Sequence, residues 1–182
     1  KIKMKLSRLL VKFFERKKIT KSISLFNSAA IKKINLFDCD IVNLHWICNE
    51  MLSIENIKKI NKPLVWTILD MWPFVGAEHI CLNSNKSDTF WKNENQINNF
   101  LPIFDKWVLK RKLKNFQKNM KIICISNWLK NRAQESLVFK NFDIEYIPCT
   151  LNFNEWKIIN KFDAREKLNL PKNKKIILFI SA

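Results

Sequence analysis

Glycine is almost absent from this chain: Gly76 stands alone among 182 residues. A loop that cradles phosphate on backbone N–H groups needs several glycines, so none lies within this sequence. Paired cysteines are missing too. Cys39, Cys48, Cys81, Cys124 and Cys149 form no Cys-x-x-Cys, and no other ligand spacing is present, so no metal site is expected. There are only two histidines and no Gly-x-Ser-x-Gly, which leaves a nucleophilic triad without support. No apolar run reaches the roughly 18 residues of a membrane span. The start, Lys1-Ile2-Lys3-Met4-Lys5, is basic, but no hydrophobic region or cleavage site follows it, so no secretory leader is read. An odd cysteine count without a leader fits reduced thiols in the cytoplasm. Position 1 is not Met, and the natural amino terminus is read as missing.

Acid is also in short supply. Lys and Arg number 33 against 16 Asp and Glu, a net charge of +17. Such a balance suits nucleic acid, an anionic membrane surface or anionic ligands. A biased base composition accounts for it equally well, because Lys, Asn and Ile are abundant, Ala is scarce, and the basic residues are spread along the chain.

Hydrophobic residues make up 47% of the sequence, ample for a core, and the length suits one α/β domain with or without a fragment of another. Residues 1–18 alternate basic and apolar at helical spacing, with Leu6, Leu9, Leu10, Phe13 and Phe14 able to share a face. That face either packs on a sheet or lies on a membrane surface. Residues 24–35 read as a short helix, 40–47 as a buried strand, and 53–60 as a helix capped by Ser53 with Asn56 three residues on. A strand at 64–69 completes a βαβ unit, whose crossover is right-handed. Residues 76–100 read as a long polar loop and 102–119 as a helix with Phe104, Trp107, Val108 and Leu109 on its apolar side. Then come a strand at 121–126, a helix running to about 139, a strand at 143–147, a helix at 162–170 and a strand at 174–181. A strand at the very end normally opens another βα unit, so the chain reads as cut at both ends. The strands read as buried on both faces.

Residues 62–76, Lys-Pro-Leu-Val-Trp-Thr-Ile-Leu-Asp-Met-Trp-Pro-Phe-Val-Gly, are the most telling stretch. An apolar run stops at Asp70, and a Trp-Pro turn follows. A buried parallel strand there delivers polar groups to the carboxyl edge of the sheet, where α/β proteins bind ligands. Together with Asp40-Ile41-Val42-Asn43-Leu44-His45-Trp46-Ile47, this stretch resembles the amino-terminal half of bacterial glycosyltransferases of family 4 (group 1), in the branch that builds capsular, colanic-acid-like or O-chain sugars. Ile125-Ser126-Asn127-Trp128-Leu129, Ile147-Pro148 with Leu151-Asn152 and Trp156, and Ala164-Arg165 with 168–171 and 174–179 follow the branch's order and spacing.

The resemblance implies the amino-terminal half of a GT-B fold: an α/β, Rossmann-like parallel sheet spanning 1–170 on the acceptor side, with 171–182 the first strand of a donor domain. It implies a retaining, metal-independent hexosyl transfer, with a nucleotide-sugar as substrate and no cofactor. The acceptor would be a glycan or polyprenyl-linked sugar in cell-surface polysaccharide synthesis, and the protein cytoplasmic or peripheral on the inner membrane. Three features depart from the pattern. Leu69-Asp70 stands for the family's His-Asp, Gly76-Ala77-Glu78-His79-Ile80 stands for Gly-Gly-Cys-His-Tyr, and Cys149 stands for the linker Asn.

Substrate contact is accordingly assigned to His45, Trp46, Asp70, Trp72, Gly76, His79 and Ser126, and no residue is assigned catalysis. Each has a structural alternative. His45 either meets sugar hydroxyls or holds a loop. Asp70 either accepts hydroxyl hydrogen bonds or caps the turn after it. Trp46, Trp72 and Phe74 either stack on a sugar or pack in the core. His79 and Glu78 could pair as acid and base. Ser126 either helps bind an anion or caps a helix. Two other functions stay open: a non-catalytic relative, suggested by Leu69, and a nucleic-acid-binding module, suggested by charge and aromatics but without a recognisable motif.

Overall fold

Parallel strands can be joined only by crossovers of a dozen or more residues, and the β-branched runs of this chain are spaced to allow them. The computed structural model describes residues 2–14, 20–80, 92–117 and 119–180. Two units, 1–148 and 149–182, are described separately. In the first, chain order runs α1 (Ile2–Phe14), α2 (Ala30–Leu36), β1 (Val42–Leu44), α3 (Ile54–Ile57), β2 (Leu64–Ile68), a 3-10 turn (Trp72–Phe74), α4 (Glu94–Phe100), α5 (Ile103–Asn115), β3 (Lys121–Cys124), α6 (Asn127–Glu135) and β4 (Asp143–Tyr146). The four strands are all parallel and lie in the order β1-β2-β3-β4. The unit is therefore α/β, with a Rossmann-like parallel sheet flanked by helices. Val42 faces Leu64, Val65 faces Lys121 and Lys121 faces Asp143, so the four carboxyl ends share one edge.

The sheet is not buried on both faces. Leu44, Leu64, Trp66, Ile68, Ile122, Cys124 and Ile144 enter the core from one side. On the other side Asn43, Lys121, Asp143 and Glu145 are exposed, and Val65, Thr67 and Ile123 are half-buried. Thr67 donates to Asn43 Oδ1 (3.2 Å), and Lys121 pairs with Asp143 (3.1 Å). In strands this short, Val65 and Ile123 make an alternating pattern look continuously apolar.

Trp66 sits at the centre of the core. Its ring meets Phe116 edge-on at 5.2 Å, Trp72 at 6.3 Å and Phe139 at 6.4 Å. Its indole N–H donates to the His45 carbonyl (2.9 Å), tying β2 to the end of β1. Ser53 caps α3 in a full capping box with Asn56. Ser28 accepts from Ala30 N (3.2 Å) at the head of α2, although the helix begins at Ala30, later than the sequence suggests. Ser136 stops α6 before residue 139: its hydroxyl donates to Ala133 O (2.7 Å) and accepts from Phe139 N (3.0 Å).

Two further expectations change. The polar stretch 76–100 contains helix α4, anchored by Ile97 and followed by Leu101, both buried; a single i, i+4 pair amid asparagines is a faint signal. Cys81, the rest of 81–91, and residues 15–18 of the predicted first helix lie outside the described residues. The second unit contains α7 (Lys161–Lys167), started by Asn160 accepting from Phe162 N (2.8 Å). Residues 174–180 form no strand, and Ile177, Leu178, Phe179 and Ile180 are exposed. A β-rich run needs a ladder partner, and this unit supplies none among its described residues.

Replacing Trp66 with Ala empties the meeting point of the aromatic cluster. The variant is expected to lose about 3–5 kcal/mol of stability in urea unfolding followed by circular dichroism.

Candidate functional site at the carboxyl edge

Helix α5 carries an inward stripe at i, i+3, i+4, i+7 and i+10: Asp105, Val108, Leu109, Lys112 and Asn115, all buried. Two of its five positions carry charge, and both charges grip the loop that follows β2. The Lys112 ammonium donates to the carbonyls of Trp72, Val75 (3.0 Å) and Gly76 (2.6 Å), and it lies 4.0 Å from the centre of the Trp72 ring. Two turns earlier in the stripe, Asp105 accepts from Ala77 N (2.8 Å) and pairs with Lys21 (2.8 Å). Lys21 also lies 3.6 Å from Glu78. A Cβ on Gly76 would fall 2.6 Å from the Asp105 Cβ, so the chain's one glycine sits where this grip leaves no space. Its φ is not positive, so close approach is the reason for it rather than backbone freedom.

Residues 21–28 run alongside this loop, held by polar anchors rather than by a strand. Ser22 N donates to Ala77 O (2.9 Å), and Ser22 O accepts from the Trp72 indole (2.7 Å). Arg111 clasps Glu55 through two contacts (2.6 and 2.8 Å) and donates to the carbonyls of Ile23 (2.7 Å) and Ser24 (2.8 Å). Burial pushes the Glu55 carboxyl up, but the hydrogen bonds and charge of Arg111, with hydrogen bonds from its own backbone amide and from Ser53, together outweigh it and hold the group below its ordinary value. Glu50 accepts from Leu25 N and Phe26 N (2.8 Å each). Ser24, Asn49 and Glu50 have positive φ, a conformation that side chains rarely adopt.

These constraints bring Ser22, His79 and Asp70 into line. His79 Nδ1–H donates to Asp70 Oδ2 (2.6 Å), and His79 Nε2 lies 2.8 Å from Ser22 Oγ. Asp70 Oδ1 accepts from Trp72 N (3.0 Å). The sequence pattern gives no hint of this Ser–His–Asp order, because Ser22 is 57 residues from His79. Access separates it from a nucleophilic relay. Ser22 is buried and fastened through both backbone groups, and its hydroxyl meets the imidazole and the Cys48 thiol. Both ring nitrogens of His79 are engaged. Burial pushes Cys48 up to about 12, with Asp70 adding to the shift, so it stays a thiol and not a nucleophile. The histidine therefore acts as a positioning residue for Asp70, whose side chain keeps a fifth of its surface open.

Asp70 opens into a small cleft lined by His45, Trp46, Leu69, Trp72 and Pro73, among others. Its volume is about 10 Å³, far below the roughly 300 Å³ at which small-molecule pockets begin. It has room for one polar group of a larger ligand. Trp46 stands at its rim, 39% exposed, with its ring 5.8 Å from that of His79. Leu69 is likewise exposed. Among the described residues no group of His, Cys, Asp and Glu could hold a metal ion.

The assigned residues thus part company. Asp70, Trp46 and the exposed His45 share the cleft edge, and Asp70 also caps the turn. Trp72 is buried between Lys112 and His79, supporting the site from beneath with no face to offer a sugar. Phe74 is core. Gly76 is packed against Asp105. Glu78 pairs with Lys21 and not with His79, so those two neighbours form no acid–base couple; adjacent residues in an extended segment point apart. Ser126 caps α6 by accepting from Leu129 N (3.2 Å). Missed from sequence were Ser22, Lys21, Asp105 and Lys112. For the last two a signal existed, since both occupy apolar positions of the α5 stripe.

No family model, curated protein or solved structure matches this chain.

Two outcomes follow from the grip of α5. Gly76→Ala forces Asp105 away from Lys21 and Ala77, and a loss of about 1–3 kcal/mol is expected in urea unfolding. Burial pushes Lys112 down to about 7, against the pull of Asp70 and Asp105. Its folded value thus lies below the unfolded one, so above pH 7 the unfolded chain binds more protons and stability rises with pH. Between pH 7 and 9 the wild type should gain up to about 1.4 kcal/mol per pH unit relative to Lys112→Met. Parallel unfolding curves across that window read the difference.

Proposed function

We propose that residues 1–148 form the acceptor-side domain of a retaining glycosyltransferase. It would move a sugar from a nucleotide-sugar to a glycan or lipid-linked acceptor during cell-surface polysaccharide synthesis. The observation that carries this reading is Asp70, immobilised by His79 and the Trp72 amide and presented beside the half-exposed ring of Trp46. A fixed carboxylate accepts hydrogen bonds from sugar hydroxyls, and an indole covers the apolar face of a pyranose ring. The ordered run of resemblances from β1 to α7 agrees with it. In this reading donor recognition belongs to a second Rossmann-like domain. The small cleft fits one wall of a larger interdomain site.

Leu69 favours a second reading. It lies exposed beside Asp70, where the family carries His. A relative that binds glycan without catalysis would keep Asp70 and Trp46 and lose that imidazole.

Saturation-transfer NMR against a panel of mono- and disaccharides and of nucleotide-sugars tests the site. Transfer is expected to at least one saccharide, with affinity weakened about tenfold or more in Asp70→Asn, the loss of a charged hydrogen-bond partner. The reading fails if no saccharide receives saturation, or if Asp70→Asn binds as the wild type does.

A further inference from the structure

Helix α1 is mounted with its apolar stripe facing away from the domain. Ser7, the only fully buried residue of α1, points inward, with Leu10 and Val11 packed beside it. Ile2, Leu6, Leu9 and Phe13 follow one another at i, i+4, i+7 and i+11, and all four are exposed; Phe13 is at 83%. Single exposed apolar residues are ordinary, but a continuous stripe marks an interaction surface. The stripe continues into α5. Phe14 stacks on Phe104 at 5.3 Å, and Ile103 and Trp107 are exposed beyond it. Between the two helices runs an apolar groove of about 520 Å³, floored by Ile23 and Leu25.

Charge identifies what covers it. Helix α1 carries Lys3, Lys5, Arg8 and Lys12 and no acid. Helix α5 adds Lys106 and Lys110, one turn beyond Ile103 and Trp107. Its one acid, Asp105, is buried against Lys21. A second copy would bring two such cationic helices together. A nucleic acid would match the charge but leave the leucines and phenylalanines wet. Among the described residues no helix is long and apolar enough to cross a membrane.

We propose that the α1–α5 face docks on an anionic phospholipid surface, with the stripe lying at the acyl boundary, the groove receiving lipid chain, and the flanking lysines and Arg8 meeting headgroup phosphates. This inference stands apart from the sugar-binding reading.

Co-sedimentation tests it with vesicles of pure phosphatidylcholine and of phosphatidylcholine mixed with phosphatidylglycerol. The wild type should partition to the anionic vesicles about tenfold or more above the neutral ones, and less so at high salt. The double variant Leu9→Glu/Phe13→Glu should lose about tenfold or more of that partition, while its urea midpoint is unchanged because both side chains are exposed. Trp107 fluorescence, isolated by comparison with Trp107→Phe, should be quenched by brominated lipid. The proposal is overturned by equal partition to both vesicle types or by wild-type partition in the double variant. It is also overturned by a wild type that ignores vesicles but dimerises, or binds single-stranded oligonucleotide, through this same face.

Discussion

The fixed point of this fold is a buried ammonium. Lys112 holds the carbonyls of Trp72, Val75 and Gly76 in the turn after β2 and caps the face of Trp72. Removing a lysine from water costs several kcal/mol. Three hydrogen bonds from a charged donor, at about 1.5–3 kcal/mol each, and a desolvated cation–π contact of about 2 kcal/mol are of the same size. The contacts do not offset the whole of that cost, since burial still pushes the group down to about 7, and what Lys112 contributes is a single conformation. The turn has Asp70 on the Trp72 amide as its side-chain cap and only one glycine. Without the ammonium its carbonyls would face an apolar interior unpaired.

Everything at the carboxyl edge inherits that geometry. Asp105, two turns before Lys112 on the same stripe, fixes the far end of the loop through Ala77 N and recruits Lys21. The Lys21 segment brings Ser22 to His79, and His79 in turn orients Asp70. The chain of dependence runs from the core outward, from α5 to the loop to the imidazole to the carboxylate. In it the most buried members are the least available for chemistry. Three residues in the order of a nucleophilic relay become a brace because the serine is sealed, whereas the carboxylate at the other end stays open to water.

The layers of this structure were unequally legible in the sequence. The four strands, their parallel sense and the helices between them follow from apolar runs and N-caps such as Ser53 and Ser126, which are local features. Asp70 was legible as the end of an apolar run, and its turn-capping role as the habit of Asp before a turn. The pairing of His79 was not. It depends on a segment 57 residues away that forms no strand and has no periodicity to announce it. Lys112 and Asp105 were legible in principle. Reading α5 by its aromatic residues puts Phe104 and Trp107 inside, whereas the heptad phase puts Asp105, Val108, Leu109 and Lys112 there. A charged residue in an apolar phase is better read as a buried anchor than as a break in the helix.

The same phase argument explains α1. Its apolar residues are enough for a core-packing helix, and on composition alone packing on the sheet is the simpler outcome. Orientation decides against it. If the stripe 2, 6, 9, 13 faced inward, Ser7 would be wet and the lysines splayed; the fold instead buries Ser7 and turns four large apolar side chains outward. A short helix gains little from propensity alone, so its stability rests on what its two faces meet. One face meets α5 through Phe14 and Phe104. The other is apolar and flanked by Lys5, Arg8 and Lys12, and α1 carries no acid. Those two properties are satisfied together at an anionic lipid surface, where the apolar stripe leaves water and each lysine finds a phosphate.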